Sequence, residues 1–271
     1  MRTIAHLSDL HFGRVEMELL APLTTFLGNL LPDIVVVSGD LTQRARSAEF
    51  VAARAFLDTL PVPQIIVPGN HDIPLYNVMA RFGTPFSNYQ RYITQDLEPF
   101  YVDGEIAVLG INTARSLTIK SGRINKGQIE RVRAKLGNLD GSLMKILVTH
   151  HPFDLPAHFG NTHLVGLPAL AMSQFASCGV NLLLAGHMHA SHAVITSDRY
   201  KTSGLDAIAI QAGTATSTRG RGESNSFNIL RITRNHLEIE QVGWTAERAA
   251  FAIKEILTFA LTPTGWISSR P

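Results

Sequence analysis

Carboxylates, imidazoles and an amide recur directly after short apolar runs in this chain of 271 residues. Gln64-Ile65-Ile66-Val67 reads as a mostly β-branched strand, Pro68-Gly69 stops it, and Asn70-His71-Asp72 follow at once. Residues 3–7 lead into Asp9 and His11, Ile34-Val35-Val36-Val37 into Gly39-Asp40, 144–149 into His150-His151, and 180–185 into Gly186-His187-Met188-His189. In an extended segment side chains two apart share a face. Asp9 with His11, and His187 with His189, can therefore each grip one cation. Mixed oxygen and imidazole donors suit zinc, iron or manganese. Read alone, each block is equally an ordinary polar turn, because Asn and Asp bond their own backbone. The repetition of one arrangement at successive strand ends is what points to a metal centre.

Rigid elements must hold those ends. Residues 17–30 and 45–60 have helical apolar spacing, and the runs before and after them are short and apolar. Strand-helix-strand-helix-strand implies a doubly wound parallel sheet, whose ligands sit beyond the carboxyl ends of its strands. The aromatic-rich stretch 74–101 reads as irregular helices and a loop over one side of the site. Residues 125–136 form a helix with Asn125 as N-cap and Gly137 as stop, and 168–177 form another. Residues 193–197, 207–211, 227–233 and 237–242 read as short antiparallel strands, and 246–257 as a helix before a polar tail. No repeat or linker interrupts the chain, so one domain over 1–271 is expected, with the elements across 226–260 completing it.

Composition narrows the partners. Hydrophobic residues are 45% and charged residues 17%, so a substantial core is expected and disorder is not. The net charge is only +2 and no long Lys/Arg stripe appears, which argues against a large nucleic-acid partner. Cys178 is the sole cysteine, so no internal disulfide can form, and a reducing cytoplasmic location is expected. No apolar run reaches the roughly 18 residues of a membrane span, and no signal-peptide region precedes the first strand. Oligomeric state is not legible, and a homodimer stays open.

Taken together, Asp9-Leu10-His11, Gly39-Asp40, Gly69-Asn70-His71-Asp72, His150 and Gly186-His187-Met188-His189 resemble the signature of the calcineurin-like metallophosphoesterase family, with all its blocks present and in order. The opening Ser8-Asp9-Leu10-His11-Phe12 is similar to the bacterial cyclic-nucleotide phosphodiesterase branch. The protein Ser/Thr phosphatase branch fits less well, since Leu41-Thr42-Gln43-Arg44 follow Asp40 and the third block ends in Asp72. The resemblance implies a four-layer α-β-β-α sandwich with two mixed sheets flanked by helices. The parallel first half would supply one sheet and the antiparallel second half the other.

The resemblance also implies two divalent ions, of manganese, iron or zinc. One ion would take Asp9, His11, Asp40 and His189, the other Asp40, Asn70, His150 and His187, with Asp40 bridging. A hydroxide between the ions would attack a phosphodiester. His71 would protonate the leaving alkoxide, and Asp72 would orient or charge-stabilise His71. His151 would stand behind His150. His158, His163 and His192 are left out as ligands.

The substrate is expected to be a small phosphodiester, in the first place a 3′,5′-cyclic nucleotide. Glycerophosphodiesters, phospholipid head groups and phosphomonoesters are alternatives of the same chemistry. A nuclease would need a basic groove. A scaffold without catalysis would be expected to have lost ligands or His71. In the small-residue stretch 213–223, Arg219 and Arg221 could bind phosphate, or the stretch is a solvated basic turn.

Overall fold

The computed structural model describes residues 1–160, 163–200, 206–219 and 223–269. Strand β1 (Arg2–Leu7) sends Ile4 to one face and Ala5 and Leu7 to the other. This is the two-residue alternation of an extended chain. Helix α1 (Leu20–Leu30) follows, then β2 (Ile34–Val37), α2 (Ser47–Leu57) and β3 (Gln64–Ile66). The three strands lie side by side and parallel. Ala5, Leu7, Val35 and Val37 pack beneath Leu23 and Leu27 of α1 and Phe50 and Leu57 of α2, while Ile4, Ile34, Val36 and Ile65 face the opposite way. Both faces are apolar, as a sheet covered on both sides requires.

Residues 74–101 contain two short helices, α3 (Val78–Gly83) and α4 (Ser87–Tyr92), and then the edge strand β4 (Phe100–Val102) where a loop was expected. Buried Tyr89 donates its hydroxyl to the Ile66 carbonyl (2.9 Å), pinning α4 to β3. Next come β5 (Ile106–Gly110), α5 (Lys126–Leu136), β6 (Met144–Val148), α6 (Pro168–Ser177), β7 (Val180–Ala185), β8 (His192–Ile195) and β9 (Ile208–Gln211). Asn125 caps α5, its side chain accepting from the Gln128 amide (2.9 Å). The chain ends in β10 (Ser226–Thr233), β11 (His236–Thr245), β12 (Ala250–Thr262) and β13 (Gly265–Ser268).

Two sheets result, in the orders β13-β12-β11-β10-β1-β2-β3 and β4-β5-β6-β7-β9-β8. Their facing sides share one core, in which Ile4, Val36 and Leu230 meet Val108, Ile146 and Leu184. Helices α1, α2 and α4 cover the outside of the first sheet, and α5 and α6 that of the second. The four-layer α-β-β-α sandwich is therefore what forms.

Two expectations are corrected. Of the strands expected to be antiparallel, 193–197 and 207–211 do fall in the second sheet, as β8 and β9, but β10 to β13 do not. They extend the first, because β10 pairs antiparallel with β1, with Ile4 opposite Leu230. The second sheet is mainly parallel through β5, β6, β7 and β9, and only β4 and β8 run against it. The segment 246–257 is not a helix. After a single tight turn (Ala246–Arg248) it is most of β12. The ladder to β11 skips Lys254, since Gln241 faces Glu255 while Val242 faces Ile253. That extra residue flips the alternation, so Phe251 joins the core under α1 and Phe259 the core between the sheets. A strand whose apolar period changes partway resembles helical spacing.

Candidate metal centre

The predicted ligands all leave the carboxyl ends of parallel strands: Asp9 and His11 after β1, Asp40 after β2, Asn70 after β3, His150 after β6, and His187 and His189 after β7. The two sheets pack so that these ends meet. Backbone bonds zip the first two loops together, from Asp9 N to Gly39 O (3.1 Å) and from His11 N to Asp40 O (2.9 Å). Within the second sheet Gly186 N donates to His150 O (3.1 Å), and across the sandwich His187 N donates to Asp9 Oδ2 (2.9 Å). Two glycines permit this approach. A Cβ at Gly69 would collide with the backbone and carboxylate of Asp40, and one at Gly186 with Ser8 Oγ.

The paired ligands converge by a different route from extended spacing. Asp9 and His11 have φ of 52° and 50°, and His187 and His189 of 71° and 60°. Asp40 is left-handed too, at 53°. Non-glycine residues in that region carry strain that the surroundings must offset, and the cross-bonds just described do so.

Each carboxylate has one oxygen anchored and one presented. Asp9 Oδ2 accepts from Ser8 Oγ (2.7 Å) and His187 N, whereas Asp9 Oδ1 is buried without a hydrogen-bond partner among the described residues. Asp9 Oδ1 lies 3.5 Å from His11 Nε2 and 3.3 Å from His189 Nε2. Asp40 Oδ1 accepts from His71 N (2.8 Å), leaving Oδ2 3.7 Å from His11 Nε2 and 3.4 Å from His150 Nε2.

The imidazoles are equally directed. Backbone carbonyls can only accept, so Nδ1–H of His11 donates to Thr42 O (3.3 Å), that of His150 to Ser38 O (2.8 Å) and that of His189 to Arg219 O (3.2 Å). All three turn an Nε2 lone pair inward, the arrangement by which proteins hold a metal-binding histidine. His11 Nε2 and His189 Nε2 stand 3.5 Å apart, and His150 Nε2 is 3.1 Å from Asn70 Oδ1. Lone pairs facing lone pairs beside an unpartnered carboxylate oxygen fit a divalent cation. The Asp9–His11–His189 and Asp9–Asp40–His150 sets bring their donor atoms within 4.8 Å of one another, as do His150, His151 and His187.

Electrostatics agree. Burial opposes ionisation of Asp9 and Asp40, but the surrounding histidines override it and hold both carboxyls well below their usual range. Burial opposes the charged form of His150, yet Asp40 lifts it to about 9. Burial, seconded by the charge of His150, pushes His187 down to about 3.

His151 falls in the cluster but is spoken for. Its Nε2–H donates to Lys120 O (3.0 Å) and its Nδ1 faces Thr113 Oγ1 (2.9 Å). The His163 and His187 ring centroids are 6.3 Å apart, and His192 packs on Phe159. His71 points its Nδ1–H at Gln43 O (2.9 Å), and its Nε2 accepts from Arg219 Nη1 (2.9 Å). Among the described residues no hydrogen bond joins Asp72 to that ring, which Gln43 O holds instead. The Asp72 carboxylate accepts from the amides of Leu41 (3.2 Å), Thr42 (2.9 Å) and Gly69 (2.8 Å) and from Thr42 Oγ1 (3.0 Å), so it clamps the loops that carry Asp40 and Asn70. A carboxylate that accepts from three amides satisfies buried donors that would otherwise be unpaired. Arg221 lies outside the described residues. The carbonyls of Ser38, Thr42, Gln43 and Arg219, which fix the rings of His150, His11, His71 and His189, were not legible in the sequence, because a backbone acceptor carries no residue type.

A fold and centre of this kind define a metal-dependent phosphoester hydrolase. The chain belongs to the calcineurin-like phosphoesterase family, whose model matches residues 2–191. It is 26% identical over 203 residues to a probable cyclic nucleotide phosphodiesterase of a Synechococcus strain, covering 69% of this chain and 73% of that one. A glycerophosphodiester phosphodiesterase of Enterobacter lignolyticus is 36% identical over 80 residues, only 26% of this chain and 29% of the relative. In fold, the chain superimposes on a dimetal phosphatase from Danio rerio with a TM-score of 0.69 at 14% identity, covering 96% of this chain and 99% of that one. For a purple acid phosphatase from yellow lupin the TM-score is 0.72 at 12% identity, with 96% of this chain matched to about half (53%) of the other. Among the described residues no helix is long and apolar enough to cross a membrane.

Proposed function

We propose that the chain hydrolyses a small phosphodiester with two divalent ions, and that the substrate is a 3′,5′-cyclic nucleotide. The observation that carries the two-ion reading is Asp40 Oδ2, which faces His11 Nε2 on one side and His150 Nε2 on the other. Asp9, His11 and His189 would hold one ion, Asn70, His150 and His187 the other, and Asp40 would be shared. Divalent ions held there would supply neutralisation of the phosphate charge and activation of water. Anchoring one oxygen of each acid and the Nδ1–H of three rings keeps those donors aimed before anything binds. That removes reorganisation from the reaction.

His71 stands at the edge of this group with its ring fixed on Gln43 O, and its Nε2 is the atom that would carry the proton to the leaving alkoxide. Arg219 Nη1 now donates to that atom. A substrate phosphate engaging the guanidinium instead would free it. The choice of a cyclic nucleotide draws on the name of the Synechococcus relative. A glycerophosphodiester is the second reading, favoured by the local match to the Enterobacter enzyme.

The test is turnover of bis(p-nitrophenyl) phosphate with manganese, followed by cyclic AMP, glycerophosphodiesters and phosphatidylcholine compared by kcat/KM. His71→Ala is expected to lower kcat on the alkyl diesters by roughly 10²-fold or more and less on the aryl diester, whose leaving group needs no proton. Absence of turnover with any divalent metal would sink the proposal.

A further inference from the structure

Two surface segments meet beside Asn70 and His71: residues 73–95, which hold α3 and α4, and residues 106–129, which run from β5 into α5. Buried Arg81 ties them together, donating from Nη1 to Pro74 O (3.1 Å) and from Nη2 to Thr118 O (2.6 Å). Buried His151 holds the second segment through Lys120 O (3.0 Å). Leu75 and Ile119, one from each segment, line a single cleft of about 190 Å³ with Asn70 and His71. On this tethered frame the outward side chains are apolar. Met79 is 85% exposed, Leu117 87% and Tyr76 74%, and Val78, Phe82 and Ile119 are exposed with them. A single exposed apolar side chain is ordinary, but six on two bonded segments mark a contact surface.

The same segments contain Arg81, Arg91, Arg115, Lys120, Arg123 and Lys126 and no Asp or Glu. The whole chain nets only +2, so the remainder of it is net negative. Lys120, Arg123 and Lys126 are exposed, and the Arg44 guanidinium lies over the Tyr76 ring, 5.4 Å from its centroid. Among the described residues no carboxylate comes within 4.0 Å of the cationic groups of these four. No Asp or Glu falls outside the described residues. The acids on this side are engaged: Glu49 accepts from the amides of Arg44 (2.8 Å) and Arg46 (3.3 Å), and Glu98 pairs with Arg131 (2.6 Å).

We infer that this face docks on an anionic phospholipid bilayer, with Tyr76, Met79 and Leu117 entering the headgroup boundary and Lys120 and Arg123 meeting lipid phosphates. Apolar side chains among cations are the composition that such a surface attracts. Met79 and Leu117 are almost wholly exposed, so they stand out singly. Protruding tips suit a soft interface that needs no matching shape, whereas a protein partner needs a packed, complementary one. A second copy seated through a two-fold axis would set this cationic face against itself. On the bilayer, the cleft beside His71 would open close to the lipid headgroups.

The test is co-sedimentation with phosphatidylcholine vesicles made with and without phosphatidylglycerol, at low salt and with a chelator so that no divalent ion bridges protein to lipid. The unaltered protein is expected to bind the anionic vesicles about 10-fold or more tighter than the neutral ones, and added salt should weaken that binding. Met79→Ser/Leu117→Ser and Lys120→Gln/Arg123→Gln should each weaken it by about 5-fold or more. All four side chains are exposed, so an unchanged melting temperature would show that the loss is not misfolding. No binding to the anionic vesicles, or equal binding by the unaltered protein and both variants, would overturn the inference. A dimer that Met79→Ser/Leu117→Ser dissociates, in a protein that ignores vesicles, would overturn it and give the face to a second copy. Neither metal nor turnover enters the measurement, so either result leaves the hydrolase reading as it stands.

Discussion

Asp40 concentrates the logic of the centre in one side chain. Its backbone is left-handed, one carboxylate oxygen is tied to His71 N, and the other stands between two imidazoles. Its residue type and its place after a buried strand were legible in the sequence, and so were those of the six other proposed ligands. What could not be read was how the rings are turned, since four carbonyls do that work, nor the partners of Asp72, which depend on where two loops meet in space. His6 shows a different consequence of burial. It faces the inter-sheet side with Nε2 against Ser38 Oγ (2.9 Å), and burial, only partly countered by Asp9, pushes it down to about 3 from an ordinary 6.5. The unfolded chain takes up this proton below pH 6.5 and the folded chain does not until about pH 3, so stability falls as pH drops through that window. Between pH 7 and pH 5 the loss from this one group is about 2 kcal/mol. Urea midpoints of His6→Phe at the two pH values should lie closer together than those of the unaltered protein. An unchanged gap would show that His6 does not stay neutral in the fold.

Strands and helices with a single period were the readable ones. β1, β2 and β6 alternate or are buried on both faces, and α5 announces its start with Asn125. β12 was not readable because its pattern changes face at Lys254. The extra residue is what allows Phe251 to pack on Phe227 and Trp244 (ring centroids 5.3 and 5.2 Å) while Phe259 remains in the other core. Deleting Lys254 should restore unbroken alternation and force one of the two phenylalanines out of its site. The cost should approach that of losing a buried aromatic, about 3–5 kcal/mol. Lys254→Ala keeps the backbone and forfeits only an exposed bond to Thr245 Oγ1 (2.8 Å), so it should cost under about 1 kcal/mol. Chemical denaturation of both variants separates the cases, and equal stability of the two would show that the bulge does not set the faces.

At the scale of the fold, the seven proposed ligands come from both sheets: Asp9, His11, Asp40 and Asn70 from one, His150, His187 and His189 from the other. The layered architecture could be anticipated from the alternation of strands and helices and from the resemblance. The partnership of β10 with β1 could not, because pairing between residues as far apart as Ile4 and Leu230 leaves no local trace. An ion gripped by both sheets would stabilise the folded state and have no comparable site in the unfolded one. Manganese at about 100 times its dissociation constant should raise the melting temperature by roughly 5–10 °C, and a chelator should reverse the shift. No shift at saturating manganese would contradict the cross-sheet site.

The most direct check is anomalous diffraction from crystals soaked in manganese. Two peaks should appear in contact with Asp40, one beside Asp9, His11 and His189 and the other beside Asn70, His150 and His187. A map with no peak among these side chains, or with the histidines turned away from the two acids, would refute the centre described here.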